Sequence, residues 1–470
     1  MSAVAEDLPD TVLRIAAAVR DAGGRALVVG GWVRDRLLGR RSKDLDLEVF
    51  GIAQDRLPGL LAPFGRVEPV GQSFPVYKIA GTAMGDIDVA LPRRESKHGR
   101  GHKGFAVTGD PFMSIAEAAR RRDFTINAIA WDPLTFAYED PFDGRADVDR
   151  RLLRAVDPTT FGDDSLRVLR AVQFAARFEF DLDGATAAIC RQLPLDDLPP
   201  ERIWAECEKL LLHAHKPARG LALALDLGVV DRLWPELHAL VGCQQEPEWH
   251  PEGDVWTHTL LVVDRARAMN EDLDRPRIIA VMLGALCHDL GKPATTAFID
   301  GRIRSPNHEQ AGVAPTLALL DRLNVHSIDG VDVRGHVVGL VAHHLKPGMF
   351  HKAETVGDGA FRRLAQKVDM ELLARVARAD CLGRAGTFDC SAMDWFIERA
   401  RSLGVEHAPP ASILLGRHLL ALGLAPGPRV GVVLRAVYEQ QLDGSIVSVD
   451  EAIAAARRLI EADTGVSGAG

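Results

Sequence analysis

The feature that most constrains this fold is a short apolar strand ending in two glycines, followed by two alternating aspartates. Residues 26–29 (Ala-Leu-Val-Val) are apolar, Gly30 and Gly31 end the run, and a helical pattern follows. After that helix, Asp44 and Asp46 stand two residues apart. Alternate residues of a strand share a face, so these carboxylates repel unless a divalent cation lies between them. The sequence therefore predicts a Mg²⁺ site.

A third carboxylate, Asp88, lies in the apolar run 87–91 (Ile-Asp-Val-Ala-Leu), which has no other reason to carry a charge. Taken alone, each aspartate would be an ordinary exposed strand or turn residue. Together, Asp44, Asp46 and Asp88 predict a catalytic two-metal triad that activates a 3'-hydroxyl and stabilises a triphosphate. The bare backbone of the two glycines permits close approach of phosphates.

This arrangement resembles the first signature of class II tRNA nucleotidyltransferases and bacterial poly(A) polymerases. The similar segments, in the family's order, are residues 30–35 with 44–46, 121–128, 140–147, 163–170, and Glu201, Arg202, Glu206 and Lys209. The resemblance implies an α+β chain. Its expected parts are a polymerase-β-like head with a mixed sheet and helices, an all-α body, an all-α HD domain and a small helical tail.

The resemblance also implies a set of nucleotide-binding residues: Gly30, Gly31, Arg34, Arg122, Asp123, Asn127, Asp164, Arg167 and Arg170. Arg122 and Asn127 are expected to contact the triphosphate and the sugar. Asp123, Arg145 and Arg170 either join them or form supporting ion pairs.

Asp164 and Arg167 carry the prediction of base recognition. Three residues apart on a helix, they would project from the same face. A carboxylate accepts from an exocyclic amine and a guanidinium donates to ring acceptors, so the pair could recognise cytosine and adenine without a template. The alternative is an ordinary surface ion pair between the two side chains.

The expected partners are CTP, ATP and the 3' end of tRNA, whose terminal CCA would be added or repaired. Residues 70–78 (Val-Gly-Gln-Ser-Phe-Pro-Val-Tyr-Lys) resemble the tRNA-enzyme branch. A flexible segment rich in Gly and Lys/Arg between Arg93 and Phe105 is compatible with full CCA addition. Poly(A) addition and CC-only or A-only addition remain alternatives.

The net charge of the whole chain is -9, which by itself argues against binding of a nucleic acid. Phosphate binding requires concentrated positive charge, and the local distribution provides it. The basic residues cluster at Arg93, Arg94, Lys97, Arg100 and Lys103, and again at Arg120, Arg121 and Arg122.

The second half of the chain contains most of the histidines. Residues 286–292 (Leu-Cys-His-Asp-Leu-Gly-Lys) resemble the central motif of HD-superfamily phosphohydrolases. The corresponding metal ligands are His258, His288, Asp289 and Asp380, and His308, His343 and His344 could supply a second ion. Imidazoles with carboxylates suit a transition metal such as Ni²⁺ or Mn²⁺, whose bound water would be the nucleophile.

Residues 249–258 resemble the entry to the HD domain of two-domain bacterial CCA enzymes. This resemblance implies 2',3'-cyclic phosphodiesterase, 2'-nucleotidase and phosphatase activity, with a degenerate, purely structural domain as the alternative. A nucleotide-sensing binding protein without turnover is an alternative of a different class. The intact carboxylates at 44, 46 and 88 argue against it.

A chain of 470 residues exceeds one hydrophobic core. We predict four domains: a catalytic head (1–155), a helical body (156–240), an HD domain (241–403) and a helical tail (404–470). The six cysteines lack CxxC spacing, which predicts reduced thiols. No apolar run approaches a membrane span, and no signal peptide is evident, so we expect a cytoplasmic protein without a membrane partner.

Overall fold

The computed structural model describes residues 8–42, 44–70, 76–82, 85–97, 105–353 and 355–466. Residues 71–75 of the segment similar to the tRNA-enzyme branch lie outside the described residues, as do residues 98–104 of the basic segment, including Arg100 and Lys103. The chain divides into two compact units, Met1–Ala214 with Arg219–Leu233, and His215–Ala218 with Trp234–Gly470. The four predicted domain boundaries stay predictions.

The first unit combines strands and helices. Its strands are β1 (Arg25–Val29), β2 (Leu45–Phe50), β3 (Arg66–Val70), β4 (Val76–Thr82), β5 (Gly85–Ala90), β6 (Arg93–Lys97), β7 (Phe105–Gly109), β8 (Ala130–Trp131), β9 (Tyr138–Glu139), β10 (Leu152–Leu153) and β11 (Asp181–Leu182). Its helices are α1 (Asp10–Asp21), α2 (Gly31–Leu37), α3 (Leu57–Leu61), α4 (Ile115–Arg120), α5 (Gly144–Arg150), α6 (Leu166–Phe178), α7 (Gly184–Gln192), α8 (Pro200–His213), α9 (Pro217–Asp226) and α10 (Val229–Leu233).

A mixed seven-stranded sheet in the order β3-β4-β5-β2-β1-β8-β9 forms the centre of the first unit. The β2–β5 pair is parallel and the other pairs are antiparallel. Residues 26–29 of β1 are buried, as expected for an apolar strand with a neighbour on each side. The sheet confirms the predicted head architecture.

The basic segment differs from its prediction. Arg93–Lys97 pairs antiparallel with Phe105–Gly109, so both ends of the segment predicted to be flexible are strands. The register runs from Arg93 opposite Gly109 to Lys97 opposite Phe105. Composition alone does not reveal such a pairing, because the pairing depends on the alignment of two separate segments.

The second unit is mainly helical. Its helices are α11 (Pro235–His238), α12 (Val255–Ala268), α13 (Arg275–Cys287), α14 (Lys292–Thr295), α15 (His308–Ala311), α16 (Val313–Arg322), α17 (Val333–His343), α18 (Lys346–Lys352), α19 (Asp358–Ala365), α20 (Met370–Gly383), α21 (Ser391–Ser402), α22 (Gly416–Ala421), α23 (Pro428–Leu442) and α24 (Val449–Val466). Two short hairpins, β12 (Ala297–Ile299) with β13 (Arg302–Arg304) and β14 (Ser327–Ile328) with β15 (Val331–Asp332), interrupt the predicted all-α pattern.

Side-chain caps fix where the main helices of this unit begin. Asp254, Asp274 and Asp369 each accept a hydrogen bond from a backbone N–H in the first turn of α12, α13 and α20. Residues 279–287 of α13 are all buried, so this helix is the centre of the unit. The tail packs its own apolar cluster around Leu419, Val437 and nearby side chains.

One prediction about the cysteines is wrong. Cys381, in α20, forms a disulfide with Cys390, which directly precedes α21. The turn between the two helices brings the Cα atoms to 6.0 Å, a proximity that a spacing of nine residues does not indicate. Cys190, Cys207 and Cys287 are buried free thiols, as predicted.

In the described part of the chain, no helix combines the length and the apolar character needed to cross a membrane.

Candidate active sites

The turn between β1 and α2 forms the floor of a cleft of about 590 Å³ in the first unit. Gly30 has φ +74°, a conformation that favours glycine. A Cβ placed there would lie 3.2 Å from Arg122 Nη1 and 3.6 Å from Asp46 Oδ2. The residue is therefore required both by backbone conformation and by the space that the cleft needs.

The sheet brings two of the predicted catalytic carboxylates together. In the parallel pairing of β2 with β5, Asp46 is directly opposite Asp88. Asp44 lies immediately before β2, so it borders the cleft from the end of the strand and not from within it. Lys78 of β4 forms an ion pair with Asp88 at 3.3 Å.

The charge distribution around Asp46 favours binding of a cation. Desolvation raises the pKa of Asp46 above its ordinary value; the negative charges of Asp88, Asp44 and Glu48 add to this shift, and Arg122 opposes it. The Oδ1 atom of Asp88 is buried and accepts no hydrogen bond of good geometry from the described residues, but it is the atom that lies 3.3 Å from the Lys78 ammonium. Hard carboxylate oxygens fit Mg²⁺.

Glu48, two residues beyond Asp46, contacts two arginines, of which Arg122 lines the cleft. Its buried carboxylate accepts hydrogen bonds from Arg121 Nη2 at 3.0 Å and Arg122 Nη2 at 3.4 Å. Burial raises its pKa, but the two guanidinium groups outweigh burial and bring the pKa below its ordinary value. Sequence reasoning missed this residue, although its i+2 position relative to Asp46 places it on the same face.

A buried network supports the wall of the cleft around Asn127. Arg34 donates from Nη1 to Asn127 Oδ1 at 2.7 Å and from Nη2 to Asp35 Oδ1 at 2.7 Å. Asn127 Nδ2 donates to Asp123 at 2.9 Å, and Arg170 Nε donates to the other oxygen of Asp123 at 2.6 Å. Asp123 and Arg170 thus form the ion pair that the sequence left as an alternative.

The predicted base-recognition pair is arranged differently from a helical i,i+3 pair. The helix α6 begins at Leu166, so Asp164 precedes it in an extended conformation. Asp164 Oδ2 accepts from Arg202 of α8 at 2.8 Å. Arg167 instead donates to two backbone carbonyls, Thr160 at 3.0 Å and Arg121 at 2.6 Å. The Asp164 carboxylate accepts a hydrogen bond from the Leu166 N–H at 3.1 Å, a local side-chain-to-backbone contact that favours an extended residue before the helix.

The cleft collects all nine of the predicted nucleotide-binding residues. Its lining includes Gly30, Gly31, Arg34, Asp44, Asp46, Arg122, Asp123, Asn127, Asp164, Arg167 and Arg170. It also includes Ser42, Asp35, Arg177 and Arg202, to which the sequence assigned no role. Arg145 stacks on the Tyr138 ring with its guanidinium carbon 4.7 Å from the ring centroid, and is not among the lining residues.

The second unit contains a buried histidine and carboxylate cluster. Among the described residues, three overlapping groups could each hold a metal ion, and the ligand atoms within each group lie within 4.8 Å of one another. Two of the groups are fully buried: His258, His288 and Asp289, and Asp289, His308 and His344. The third, formed by His250, Glu252 and His258, is only partly buried and was not predicted from the sequence. Asp380 Oδ1 lies 3.1 Å from His258 Nε2, which adds a carboxylate to the first group.

Backbone carbonyls orient three of these imidazoles. His288, His308 and His344 each donate from Nδ1 to the carbonyl three residues earlier, at 2.8 Å in every case. The Nε2 atoms therefore turn toward the cluster, as in histidine metal sites. The Nε2 atoms of His308 and His344 lie 3.2 Å apart, and the buried His288 Nε2 lies 3.1 Å from Asp289 Oδ2. Converging nitrogen lone pairs and carboxylates fit a transition metal.

The carboxylates of the cluster stay ionised. Burial opposes ionisation, but His288 and Lys292 hold the pKa of Asp289 well below its usual range. For Asp380, the hydrogen bond with His258 and the charge of Arg384 similarly overcome burial and lower the pKa. Burial lowers the pKa of His344 to about 3, so this imidazole is neutral and able to bind a metal.

The structure places His344, and not His343, in the cluster. His343 is half-buried, belongs to none of the three groups, and has its pKa lowered by burial. Adjacent helical residues point about 100° apart, so of two neighbouring histidines one faces the ligands. The Lys292 ammonium, which the sequence placed in the motif without a role, lies 2.7 Å from Asp289 Oδ2.

Three family models match the chain. They are the poly(A) polymerase head domain over residues 26–154, a probable RNA- and SrmB-binding site of polymerase A over residues 179–241, and the HD domain over residues 255–384.

Curated relatives match nearly the full length. The multifunctional CCA protein of Xanthomonas campestris pv. campestris (strain B100) is 37% identical over 421 residues, which cover 87% of this chain and 95% of that protein. The multifunctional CCA protein of Xylella fastidiosa (strain 9a5c) is 33% identical, covering 94% and 98%.

Solved structures share the fold at lower identity. The CCA-adding enzyme of Bacillus stearothermophilus in complex with CTP has a TM-score of 0.66 and 21% identity, covering 99% of this chain and 100% of that one. The CCA-adding enzyme of Thermotoga maritima complexed with tRNA has a TM-score of 0.59 and 18% identity, covering 97% of each.

Proposed function

Because this chain belongs to the family of multifunctional CCA proteins and is a nucleotidyltransferase, we propose that it builds and repairs the 3'-terminal CCA of tRNA from CTP and ATP. The observation that carries the proposal is the juxtaposition, in one cleft, of a carboxylate site with side chains able to recognise a base. With tRNA as the substrate, its place of action is the cytoplasm.

We assign Asp44, Asp46 and Asp88 as ligands of Mg²⁺, which would promote attack of the RNA 3'-hydroxyl on the α-phosphate of the incoming nucleotide. Gly30 allows the triphosphate to approach the backbone, and Arg122 offsets its charge. Both residues are held for this purpose, Gly30 by its backbone conformation and the Arg122 side chain by its hydrogen bond to Glu48.

Asn127 is assigned to the sugar. Its amide oxygen accepts from Arg34 and one of its N–H groups donates to Asp123. One N–H and one lone pair remain for a hydroxyl group. Arg34, Asp123 and Arg170 then act as positioning residues, because their polar groups are directed at one another and at Asn127.

Asp164 and Arg167 are assigned to the base. Asp164 keeps lone pairs for an exocyclic amine beyond its bonds to the Leu166 N–H and Arg202. Arg167 is fixed by two carbonyls and retains N–H groups for ring acceptors. Both cytosine and adenine present an amine beside a ring nitrogen, whereas uracil and guanine present a carbonyl at that place.

The decisive experiment incubates the pure protein with tRNAs lacking one, two or three terminal nucleotides, with CTP and ATP separately and together. We expect CC addition with CTP, A addition to a CC end with ATP, and full CCA with both. Unlimited A addition would indicate a poly(A) polymerase, and loss of one step would indicate a CC-only or A-only enzyme.

Two variants test the single-site model. Asp44→Ala and Asp46→Ala should each abolish C and A addition together, while tRNA affinity measured by filter binding stays near that of the wild type. Removing a metal ligand forfeits several kcal/mol of transition-state stabilisation, so a loss of about a thousandfold or more is expected. Retention of either addition would contradict one shared metal site.

For the second unit we propose a metal-dependent phosphohydrolase that acts on 2',3'-cyclic phosphodiesters and phosphomonoesters. The observation that favours it is the pair of buried ligand groups with their Nε2 atoms turned inward. We assign Ni²⁺ or Mn²⁺ to them; a bound ion would supply an activated water as nucleophile. Hydrolysis of a 2',3'-cyclic nucleotide should appear with one of Ni²⁺, Mn²⁺ or Mg²⁺, and its absence with all three would support a structural role.

A further inference from the structure

A cleft of about 310 Å³ opens beside the histidine cluster, and both charged and apolar side chains line it. Three of its lining residues contact proposed metal ligands: His308 lies 3.3 Å from Asp289, and Lys292 lies 2.7 Å from the same carboxylate. Arg384 Nη2 lies 3.8 Å from Asp380. A phosphate bound in this cleft would therefore meet the metal cluster.

The same cleft has an apolar part. Its lining includes the indole of Trp249, which is 46% exposed, and the half-buried side chain of Ile303. The two residues come from different segments that are tied together. Glu246 accepts a hydrogen bond from the Ile303 N–H at 2.9 Å, and Arg302 forms an ion pair with Glu248 at 2.9 Å. The hairpin β12–β13 is thus fixed against the segment that carries Trp249.

The cationic groups retain capacity for an anion. Lys292 Nζ donates to Gln245 Oε1 at 2.6 Å and contacts Asp289, which leaves its third N–H. The Nε of Arg384 is buried and has no hydrogen-bond partner among the described residues. A simple phosphate would use these groups but would leave the indole without a function.

From this combination we propose that Trp249 is a base-stacking residue of the second unit, and that its cleft selects nucleoside phosphates over phosphate esters without a base. Every nucleobase has a flat π-face, so stacking on the indole accepts any of the four bases. Arg384 and Lys292 bind the phosphate. The inference rests on the proposed phosphohydrolase and adds to it the group that distinguishes substrates.

The test compares Trp249→Ala and Trp249→Phe with the wild type on adenosine 2'-monophosphate and on glycerol 2-phosphate. Base stacking on an aromatic side chain corresponds to about 5- to 100-fold. We expect Trp249→Ala to lower kcat/KM for adenosine 2'-monophosphate by that factor, mainly through KM, and to leave glycerol 2-phosphate within twofold. The Phe variant should recover most of the loss.

Phe298→Ala is the matched control. Phe298 is an aromatic residue of the hairpin β12–β13. Its side chain is 76% exposed, and it is not among the residues lining the cleft. Its removal should change neither substrate. An equal loss for both substrates in Trp249→Ala, or no loss for either, overturns the stacking role.

Calorimetric binding of adenosine 2'-monophosphate and of glycerol 2-phosphate in a chelator separates this inference from the proposed activity. If the wild type hydrolyses neither ester, the phosphohydrolase proposal fails. Tighter binding of the nucleotide that is weakened by Trp249→Ala would still support the stacking residue. Equal and weak binding of both compounds by the wild type and the variant would refute it.

Discussion

Gly30 gives a prediction about how backbone conformation affects nucleotide addition in the first cleft. Gly30→Ala would place a methyl group in a left-handed conformation, at a cost of about 1–2 kcal/mol, and 3.2 Å from Arg122 Nη1. Because a displaced arginine and carboxylate misalign the reacting groups, we expect kcat/KM for both CTP and ATP to fall on the order of tenfold to a hundredfold.

Gly39→Ala provides the control for that prediction. Gly39 has φ +67°, and an added Cβ there meets no heavy atom within 4 Å. The two variants should lose similar stability in thermal unfolding, while nucleotide addition falls in Gly30→Ala alone. Equal loss of activity in both variants would mean that backbone strain, and not crowding of the cleft, is responsible.

Glu48 gives a prediction about pH. Its folded pKa lies below its ordinary value because of Arg122 and Arg121, so its contribution to stability is complete above the unfolded value of about 4.3. That contribution is lost as pH falls through the lowered folded pKa. Glu48→Gln resembles the protonated acid and should be less stable than the wild type by about 1–3 kcal/mol at pH 7.

Thermal unfolding of both proteins from pH 7 down to about pH 3.5 measures this effect. The difference in stability between them should be constant near neutrality and decrease below about pH 4. A difference that does not depend on pH would indicate that Glu48 acts through packing and not through its charge.

At the residue scale, sequence patterns pointed to the groups that we propose carry chemistry but not to the groups that contact them. Asp46 and His288 stand out because a charge in an apolar strand, or a His-Asp pair directly after an apolar helix, has few structural reasons. Glu48 and Arg202 do not, because their partners lie 73 and 38 positions away in the sequence. Such long-range pairs depend on the fold and have no local signature.

At the element scale, α8 positions Asp164 from outside its own motif. Arg202→Ala would remove the 2.8 Å contact and free the carboxylate to rotate. Losing a partner of a partly buried charged group costs about 1–3 kcal/mol. We therefore expect discrimination of CTP and ATP against UTP and GTP to fall about fivefold to a hundredfold, with smaller changes in triphosphate affinity.

Arg191→Ala is the comparison variant, since Arg191 forms an ion pair of similar length, 2.6 Å, with Asp226 on an exposed surface. That variant should keep normal nucleotide choice in single-nucleotide incorporation assays. Asp164→Ala and Arg167→Ala should reproduce the Arg202→Ala phenotype more strongly. Uniform weakening toward all four nucleotides would argue against base recognition by this group.

The positions of helices and strands were more predictable from the sequence than the contacts between them. The strand β1 begins one residue before the predicted run 26–29, and the helix α2 follows the two glycines as predicted, because apolar runs and glycine breaks are local signals. The pairing of β6 with β7 and the Cys381–Cys390 bridge were not predicted. Both are contacts between two separate segments, and composition does not reveal which segments pair.

At the scale of the whole molecule, each compact unit holds all of the ligands that we propose for its own metal site. The carboxylates of the first cleft lie in the first unit, and the histidine cluster lies in the second. His288→Ala and Asp289→Ala should therefore remove phosphohydrolase activity, because an open coordination shell binds its ion about 10- to 100-fold more weakly or worse. CCA addition should continue near its normal rate.

Both activities are to be measured on the same preparation, with circular dichroism as a check of folding. Asp46→Ala is the reciprocal variant and should lose nucleotide addition while hydrolysis persists. If His288→Ala stays folded and yet loses CCA addition, the two units are coupled and their independence is refuted.

The parallel pairing that sets Asp46 opposite Asp88 has a consequence for how the chain can change in length. Insertions between β2 and β5 leave the alignment of these strands untouched, so connecting segments there are free to vary. A single residue inserted within β2 before Asp46 would reverse the faces of the strand, sending the carboxylate into the core and Leu47 into the cleft. Two inserted residues would restore the face but displace the carboxylate by about 7 Å. The register of β2 on β5 therefore determines whether the two carboxylates can share a metal ion.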